Sequence, residues 1–176
     1  GGTTDLSLIR VAEGTEGRPF DLERVAVGPH LLLGGDNMDL ALAHACEAKL
    51  SPSERLDARL FAQLTLACRG AKEKLLGDDP PAEVPIAIAR KGAKLVGGTL
   101  STTISQAEAE QIVLEGFWPV VPKDARPQRA RTALVAFGLP YERDVAITRH
   151  VANFCARHAS SGPSALLLNG GVFRAA

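Results

Sequence analysis

Gly1-Gly2-Thr3-Thr4-Asp5-Leu6-Ser7-Leu8 sets a glycine pair immediately before an apolar segment of β type. A second pair, Gly34-Gly35, follows Leu31-Leu32-Leu33, and a third, Gly170-Gly171, follows the apolar stretch Ala165 to Leu168. A glycine pair beside a strand lets backbone come close to a ligand, most often a phosphate or a base. Ligand-type loops at both ends of the chain are expected of a fragment of a larger binding domain.

The segments between these loops alternate between β and α patterns. Asp5 to Val11 alternates, Gly14 to Gly17 reads as a turn, and Leu22 to Val27 as the hairpin partner. Asp36 or Asn37 is expected to cap a helix from Met38 to Lys49. Ser51-Pro52-Ser53 is expected to start a second helix. Its face is marked by Leu56, Leu60, Leu64, Ala67, Cys68, Ala71 and Leu75. From Ser53 to Leu75 it would run roughly 35 Å at about 1.5 Å per residue. Val84 to Ala89 and Lys94 to Leu100 read as a second hairpin around Lys91-Gly92. Ser105-Gln106-Ala107-Glu108 is a capping box that opens a helix through Glu115. Prolines at 119, 122 and 127 mark a connector. Helical spacing resumes at Ala130, Ala133, Leu134 and Phe137, and Asp144 is expected to cap a last helix bearing Ile147, Val151, Phe154 and Cys155. Ala165 to Leu168 reads as a short buried strand. The order implies a mixed α/β or α+β chain.

Totals exclude several classes. The 176 residues suffice for one sizeable domain, or a domain with a satellite. Lys plus Arg is 20 and Asp plus Glu is 20, which argues against a nucleic-acid binder. No apolar run approaches the roughly 18 residues of a membrane span. Cys46, Cys68 and Cys155 are too few and too far apart for a disulfide framework or a zinc site, so a reducing, cytoplasmic setting is expected.

Several segments together resemble DnaK-type chaperones, the heat-shock-70 family of actin-like ATPases. Gly1-Gly2-Thr3-Thr4-Asp5-Leu6-Ser7-Leu8 resembles their second phosphate loop. Gly34-Gly35-Asp36-Asn37-Met38-Asp39 resembles the Gly-Gly-x-x-x-Asp segment that follows. Thr65-Leu66-Ala67-Cys68-Arg69-Gly70-Ala71-Lys72 resembles the long helix with its Ala-Cys-x-x-Ala-Lys stretch. Ser101-Thr102-Thr103-Ile104 is similar to the next segment, and Leu168-Asn169-Gly170-Gly171-Val172-Phe173-Arg174 resembles the adenosine loop. The order holds from residue 1 to about 116 and again from 165, while the stretch between has no clear match.

The resemblance implies the second lobe of an actin-like (ribonuclease H-like) α/β ATPase domain. Residues 1–33 with 117–176 would form the inner subdomain, and 34–116 an inserted α+β outer cap. It implies ATP or ADP, with magnesium and optionally potassium, and no metal ligand from these side chains. The implied partners are the missing first lobe, a substrate-binding domain, a co-chaperone and an exchange factor, with neither nucleic acid nor membrane. The implied activity is ATP hydrolysis that controls client-protein binding in a stress response.

By resemblance, Gly1, Gly2, Gly34 and Gly35 would face phosphate. Thr3 would orient the attacking water, and Asp5 would act near metal and water as polariser or proton acceptor. Lys72 would reach the ribose, Gly170 and Gly171 would let adenine lie against backbone, and Arg174 would cover a base face. The family's first phosphate loop and catalytic lysine would precede residue 1, so the isolated chain is expected to hydrolyse no ATP.

The chain departs from the family on the base side. Arg69 stands where a glutamate contacts ribose, Glu73 where an arginine stacks on adenine, and Leu76 where a serine lies near the base. Arg69 and Glu73, four residues apart, are expected to pair across one helical turn for about 0.2–0.5 kcal/mol. A degenerate actin-like module for protein interaction is therefore the rival reading, and a sugar-kinase relative a third.

Other residues carry plain readings. His150 and His158 have no companion ligands for zinc and read as ordinary partly buried or surface histidines, as does His44. Lys123, Arg126, Arg129 and Arg131 read as a solvated basic connector. Phe117-Trp118-Pro119 is expected to pack the hinge between the subdomains.

Overall fold

The structure is a computed structural model that describes residues 1–15, 17–90, 98–128, 142, 144–159 and 161–173. The expected helix over 130–137, the strand start at 94–97 and Arg174 lie outside the described residues. The chain is mixed α/β, with two small antiparallel sheets and helices between and after them. It divides into two compact units. One comprises Gly1–Gly2, Gly34–Trp118 and the segment from Asn169; the other comprises Thr3–Leu33 and Pro119–Leu168.

In the first unit, α1 (Gly35–Leu50) and α2 (Ala58–Leu75) pack on each other and on a hairpin. The hairpin is β3 (Glu83–Ala89) against β4 (Thr99–Ser105), paired Val84 to Ile104 and Ala89 to Thr99. The buried stripe of α2 is Leu64, Cys68, Ala71 and Leu75, spaced by four, three and four, which is one helix face. It meets Leu42 and Cys46 of α1 together with Ile86 and Ile104 of the sheet in a core closed to solvent. Full burial of each of the larger aliphatic side chains stabilises by about 1.5–3 kcal/mol.

Three caps or pairings differ from expectation. Gly34, not Asp36 or Asn37, is the N-cap of α1, and Asn37 reaches back so that its Oδ1 accepts the Gly34 N–H at 2.8 Å. The second helix begins at Ala58 and has 18 residues, about 27 Å at 1.5 Å each. The delay has a cause. The Glu47 carboxylate accepts the Leu56 N–H at 2.9 Å, which holds the preceding segment as a connector, and Asp57 then caps through the Leu60 N–H at 2.8 Å. Arg69 does not pair with Glu73; its guanidinium goes to acids of α1 instead.

After β4, Ser105 forms the expected capping box with Glu108. Ser105 N–H donates to the Glu108 carboxylate at 2.9 Å, and Ser105 Oγ accepts the Glu108 N–H at 3.2 Å. The Lys49 ammonium at the end of α1 binds the same carboxylate. That hydrogen bond, joined by the Ser105 N–H, holds Glu108 below the usual carboxylate range. The helix α3 (Gln106–Glu110) continues as a π-helical turn, Gln111–Glu115. A wide turn of this kind shifts the face that the following side chains present.

In the second unit, β1 (Ser7–Glu13) pairs antiparallel with β2 (Phe20–Val27), with a bulge between Leu8 and Ile9. An isolated antiparallel bridge joins Thr4 to Leu31, reinforced by Thr4 Oγ1 donating to the Leu33 carbonyl at 2.8 Å. The last helix, α4 (Ile147–His158), is capped at Ala146 rather than Asp144. Asp144 lies two residues earlier and its carboxylate accepts the N–H groups of Gln128 at 2.7 Å and Ala146 at 3.0 Å. Ile147 and Phe154 are the buried face of α4, and an added Cβ at Gly28 would sit 3.3 Å from the Phe154 ring.

Ala165 to Leu168 is not a strand. The segment is irregular and exposed, with Leu167 91% accessible. An apolar run becomes a strand only where a neighbouring backbone supplies its hydrogen bonds, and none of the described strands does so. Among the described residues no helix is long and apolar enough to cross a membrane.

Candidate functional site

Within the first unit a cavity of about 450 Å³ opens where five separate pieces of chain meet. Gly1, Gly35 and Gly171 bring backbone to its wall, and α2 contributes Arg69, Lys72 and Glu73, with Leu76 at its C-cap. The π-helical turn adds Val113 and Leu114, with Trp118 just beyond it. The 3-10 turn Gly171–Phe173 completes the wall with Val172 and Phe173.

Local sequence explains each placement. Lys72 and Leu76 follow each other by four on α2, so both face the same side. Arg69 lies three before Lys72 and joins them. Gly35 sits in the first turn of α1 and is fully buried. A Cβ there would contact Lys72 Nζ at 3.4 Å, Val172 Cγ2 at 3.6 Å and the Gly1 carbonyl at 3.7 Å. Glycine thus keeps the cavity open at the point where α1, α2 and the chain ends converge. Gly170 has φ +123°, a conformation closed to side chains with a Cβ, and its carbonyl accepts the Phe173 N–H at 3.2 Å. That turn is what lifts Val172 and Phe173 onto the cavity wall.

The polar end is an ion-pair network. Asp39, with a side chain 3% exposed, accepts Lys72 Nζ at 2.6 Å on one oxygen and Arg69 Nε at 2.9 Å on the other. Arg69 also binds the Asp36 carboxylate, and Lys72 donates to the Gly35 carbonyl at 3.2 Å. The hydrogen bond that Arg69 donates to Asp39, with the charges of Asp39 and Asp36, raises the guanidinium above its usual value. The charged lining residues are two acids, Asp36 and Glu73, and two bases, Arg69 and Lys72, so the lining is charge-balanced. Both cations are already engaged by carboxylates, which lowers what an incoming anion gains from them.

The apolar end is formed by Met38, Leu76, Val113, Leu114 and the rings of Trp118 and Phe173. The two ring centroids are 5.3 Å apart with the planes at 67°, an edge-to-face arrangement. Phe117, beside Trp118, is buried in the core, while Trp118 faces the cavity.

Among the residues expected to carry function, Gly1, Gly35, Lys72 and Gly171 lie on this one cavity. Gly2 and Gly34 flank it in sequence: Gly34 is the α1 cap, and a Cβ on Gly2 would come 3.0 Å from Asp36 Oδ2. Gly170 shapes the turn without lining the wall. Thr3 and Asp5 belong to the other unit. There Thr3 is exposed, and Asp5 Oδ1 lies 2.7 Å from His30 Nδ1, both side chains largely exposed. The Thr4–Leu31 bridge makes that pair. In antiparallel register the next residues along, Asp5 and His30, fall opposite one another.

The sequence offers Asp36 as a cap, Asp39 and Phe173 only as parts of motifs, and Trp118 as hinge packing, and it gives no signal for His30. The signal for Asp39 was available in its spacing: it lies four residues after Gly35 on α1, on the face that meets α2. Among the described residues no group of three or more His, Cys, Asp or Glu side chains is placed to hold a metal ion.

No protein-family model matches the chain, and no curated protein matches it significantly.

Proposed function

We propose that the chain is part of the nucleotide-binding domain of a DnaK-like chaperone, the second lobe of an actin-like ATPase. The observation that carries this reading is the meeting of Gly1, Gly35, Lys72 and Gly171 on one cavity, although they come from separate parts of the sequence. Its volume of about 450 Å³ lies within the range of small-ligand pockets. Glycine backbone with Arg69 and Lys72 at one end and apolar surface at the other match the two chemical ends of a nucleotide. A magnesium ion fits the same reading without a protein cage, because Mg²⁺ on a nucleotide is held largely by phosphate oxygens and water. By the same resemblance, Thr3 and Asp5 would supply the hydroxyl and carboxylate that hydrolysis of the γ-phosphate needs, together with groups of a first lobe.

Hydrolysis in this reading is a property of the larger domain, and the chain by itself turns over no ATP. Client proteins, a co-chaperone and an exchange factor follow from the same reading.

The second reading is a degenerate actin-like module for protein interaction. It is favoured by the engagement of Arg69 and Lys72 with Asp36 and Asp39, and by an acid at Glu73. Calorimetric titration of ATP and ADP with magnesium into the protein separates the two. Saturable binding supports the nucleotide reading, and no heat at millimolar ligand supports the degenerate module.

A further inference from the structure

Aromatic residues make up only 5% of this chain, which has one tryptophan and six phenylalanines. The single tryptophan and one phenylalanine nevertheless share the wall of the cavity. Both rings are anchored at the root by main-chain bonds. The Trp118 N–H donates to the Leu114 carbonyl at 2.9 Å, and the Phe173 N–H donates to the Gly170 carbonyl at 3.2 Å. Phe173 is 36% accessible, and Val172 beside it 37%. These side chains are therefore held in place yet not covered, which is the state of a surface prepared for a ligand rather than of a core.

The opposite end of the cavity holds no surplus positive charge. Arg69 and Lys72 are matched within the lining by Asp36 and Glu73, and Asp39 behind them takes a bond from each. A bare phosphate gains little from cations that are already paired. A flat heterocycle gains from apolar and aromatic walls whatever its charge, since every base presents a π-face.

Resting on the nucleotide reading above, we infer that Trp118 and Phe173 form the base subsite of this cavity, and that the nucleoside rather than the phosphate chain supplies most of the affinity. The aromatic pair takes the part that a guanidinium stack plays in the proteins this chain resembles. Glu73, which only accepts hydrogen bonds when ionised, favours a base that presents an N–H edge. Adenosine is accordingly a ligand almost as good as ADP.

Trp118 is its own reporter. Adenosine, ADP, ribose 5-phosphate and tripolyphosphate are titrated into the full chain, with binding read by calorimetry and by tryptophan emission. The expected result is saturable quenching by adenosine and ADP, with affinities within about tenfold of each other, and no quenching by the two base-free probes. Phe173→Ala should weaken adenosine by about tenfold or more, while Trp118→Phe, which keeps a π-face, should stay within about threefold. Far-UV circular dichroism confirms that each variant keeps its helices. Should Phe173→Ala fail to fold, Phe173→Leu, which also removes the ring and should weaken adenosine by about tenfold, carries the test together with the wild-type emission.

ADP binding with unchanged emission and a Phe173→Ala effect under about twofold would overturn the base subsite and leave the nucleotide reading standing. Tripolyphosphate binding as tightly as ADP would do the same. No binding of adenosine or ADP at millimolar concentration would overturn both.

Discussion

Lys72 Nζ on α2 stands 2.6 Å from Asp39 Oδ1 on α1, and that carboxylate is 3% exposed. The other oxygen of Asp39 receives Arg69, so one buried acid ties two cations of α2 to the N-terminal half of α1. A buried carboxylate is tolerable only with such partners.

Asp39→Asn should therefore lower stability by about 2 kcal/mol, the scale of hydrogen bonds to charged groups. Urea denaturation measures it. Combining it with Lys72→Met should recover part of the loss, because the second change removes the cation left behind. Additive losses would show that the pair is not coupled.

Gly170 is fixed by its backbone. Gly170→Ala should cost about 1–3 kcal/mol of local strain at φ +123°. It should also displace Phe173, seen as a shift in Trp118 emission because the rings touch. Gly171→Ala, where φ is not positive and a Cβ would meet nothing within 4 Å, should leave that emission unchanged.

Asp144 gives the chain an acid-sensitive contribution. Burial pushes its carboxyl upward, but the N–H groups of Gln128 and Ala146 and the Arg149 guanidinium outweigh it and hold the group below its ordinary value. A depressed folded value means the stabilisation is full above the unfolded value of about 3.9 and is lost as pH falls through the folded one. Asp144→Asn should be less stable than the wild type by about 2 kcal/mol at neutral pH. The gap should close in strong acid, as thermal unfolding across pH will reveal; a constant gap would refute the assignment.

Thiol chemistry should single out Cys155. Cys46 and Cys68 are closed to solvent and Cys155 is partly accessible. The hydrogen bond with Cys46, then burial, push the Cys68 thiol up and make it still less reactive. An aromatic disulfide reagent should titrate one of the three thiols in native protein and all three in urea. Two or more fast thiols in the native state would contradict the core packing of α1 on α2.

The legible parts of this chain were those with a strong local period. The α2 stripe from Leu64 to Leu75, the first hairpin and β3 follow from spacing alone, and the Ser105 box from one tetrapeptide, whereas β4 runs on to Ser105 instead of ending at Leu100. The misreadings share a different cause. Arg69 and Glu73 satisfy the rule for neighbours four apart on a helix, yet a buried acid on another helix outbids a solvent-facing one. Ala165 to Leu168 has strand composition, but pairing is decided by backbone elsewhere in the fold. The helix start at Ala58 was postponed by a carboxylate ten or so residues upstream, at Glu47. The glycine positions of the cavity were readable because glycine advertises close approach. Trp118 and Phe173 were not, since their meeting depends on a turn set by Gly170 and on the π-helical turn before Trp118.

The cavity wall that Val172 and Phe173 provide comes from the far end of the sequence, while α1 and α2 are made early. During synthesis the helix pair and its sheet can pack before that wall exists. Closure of the cavity wall then depends on the later segment docking onto helices that are already packed, so the wall is the last part of this unit to form.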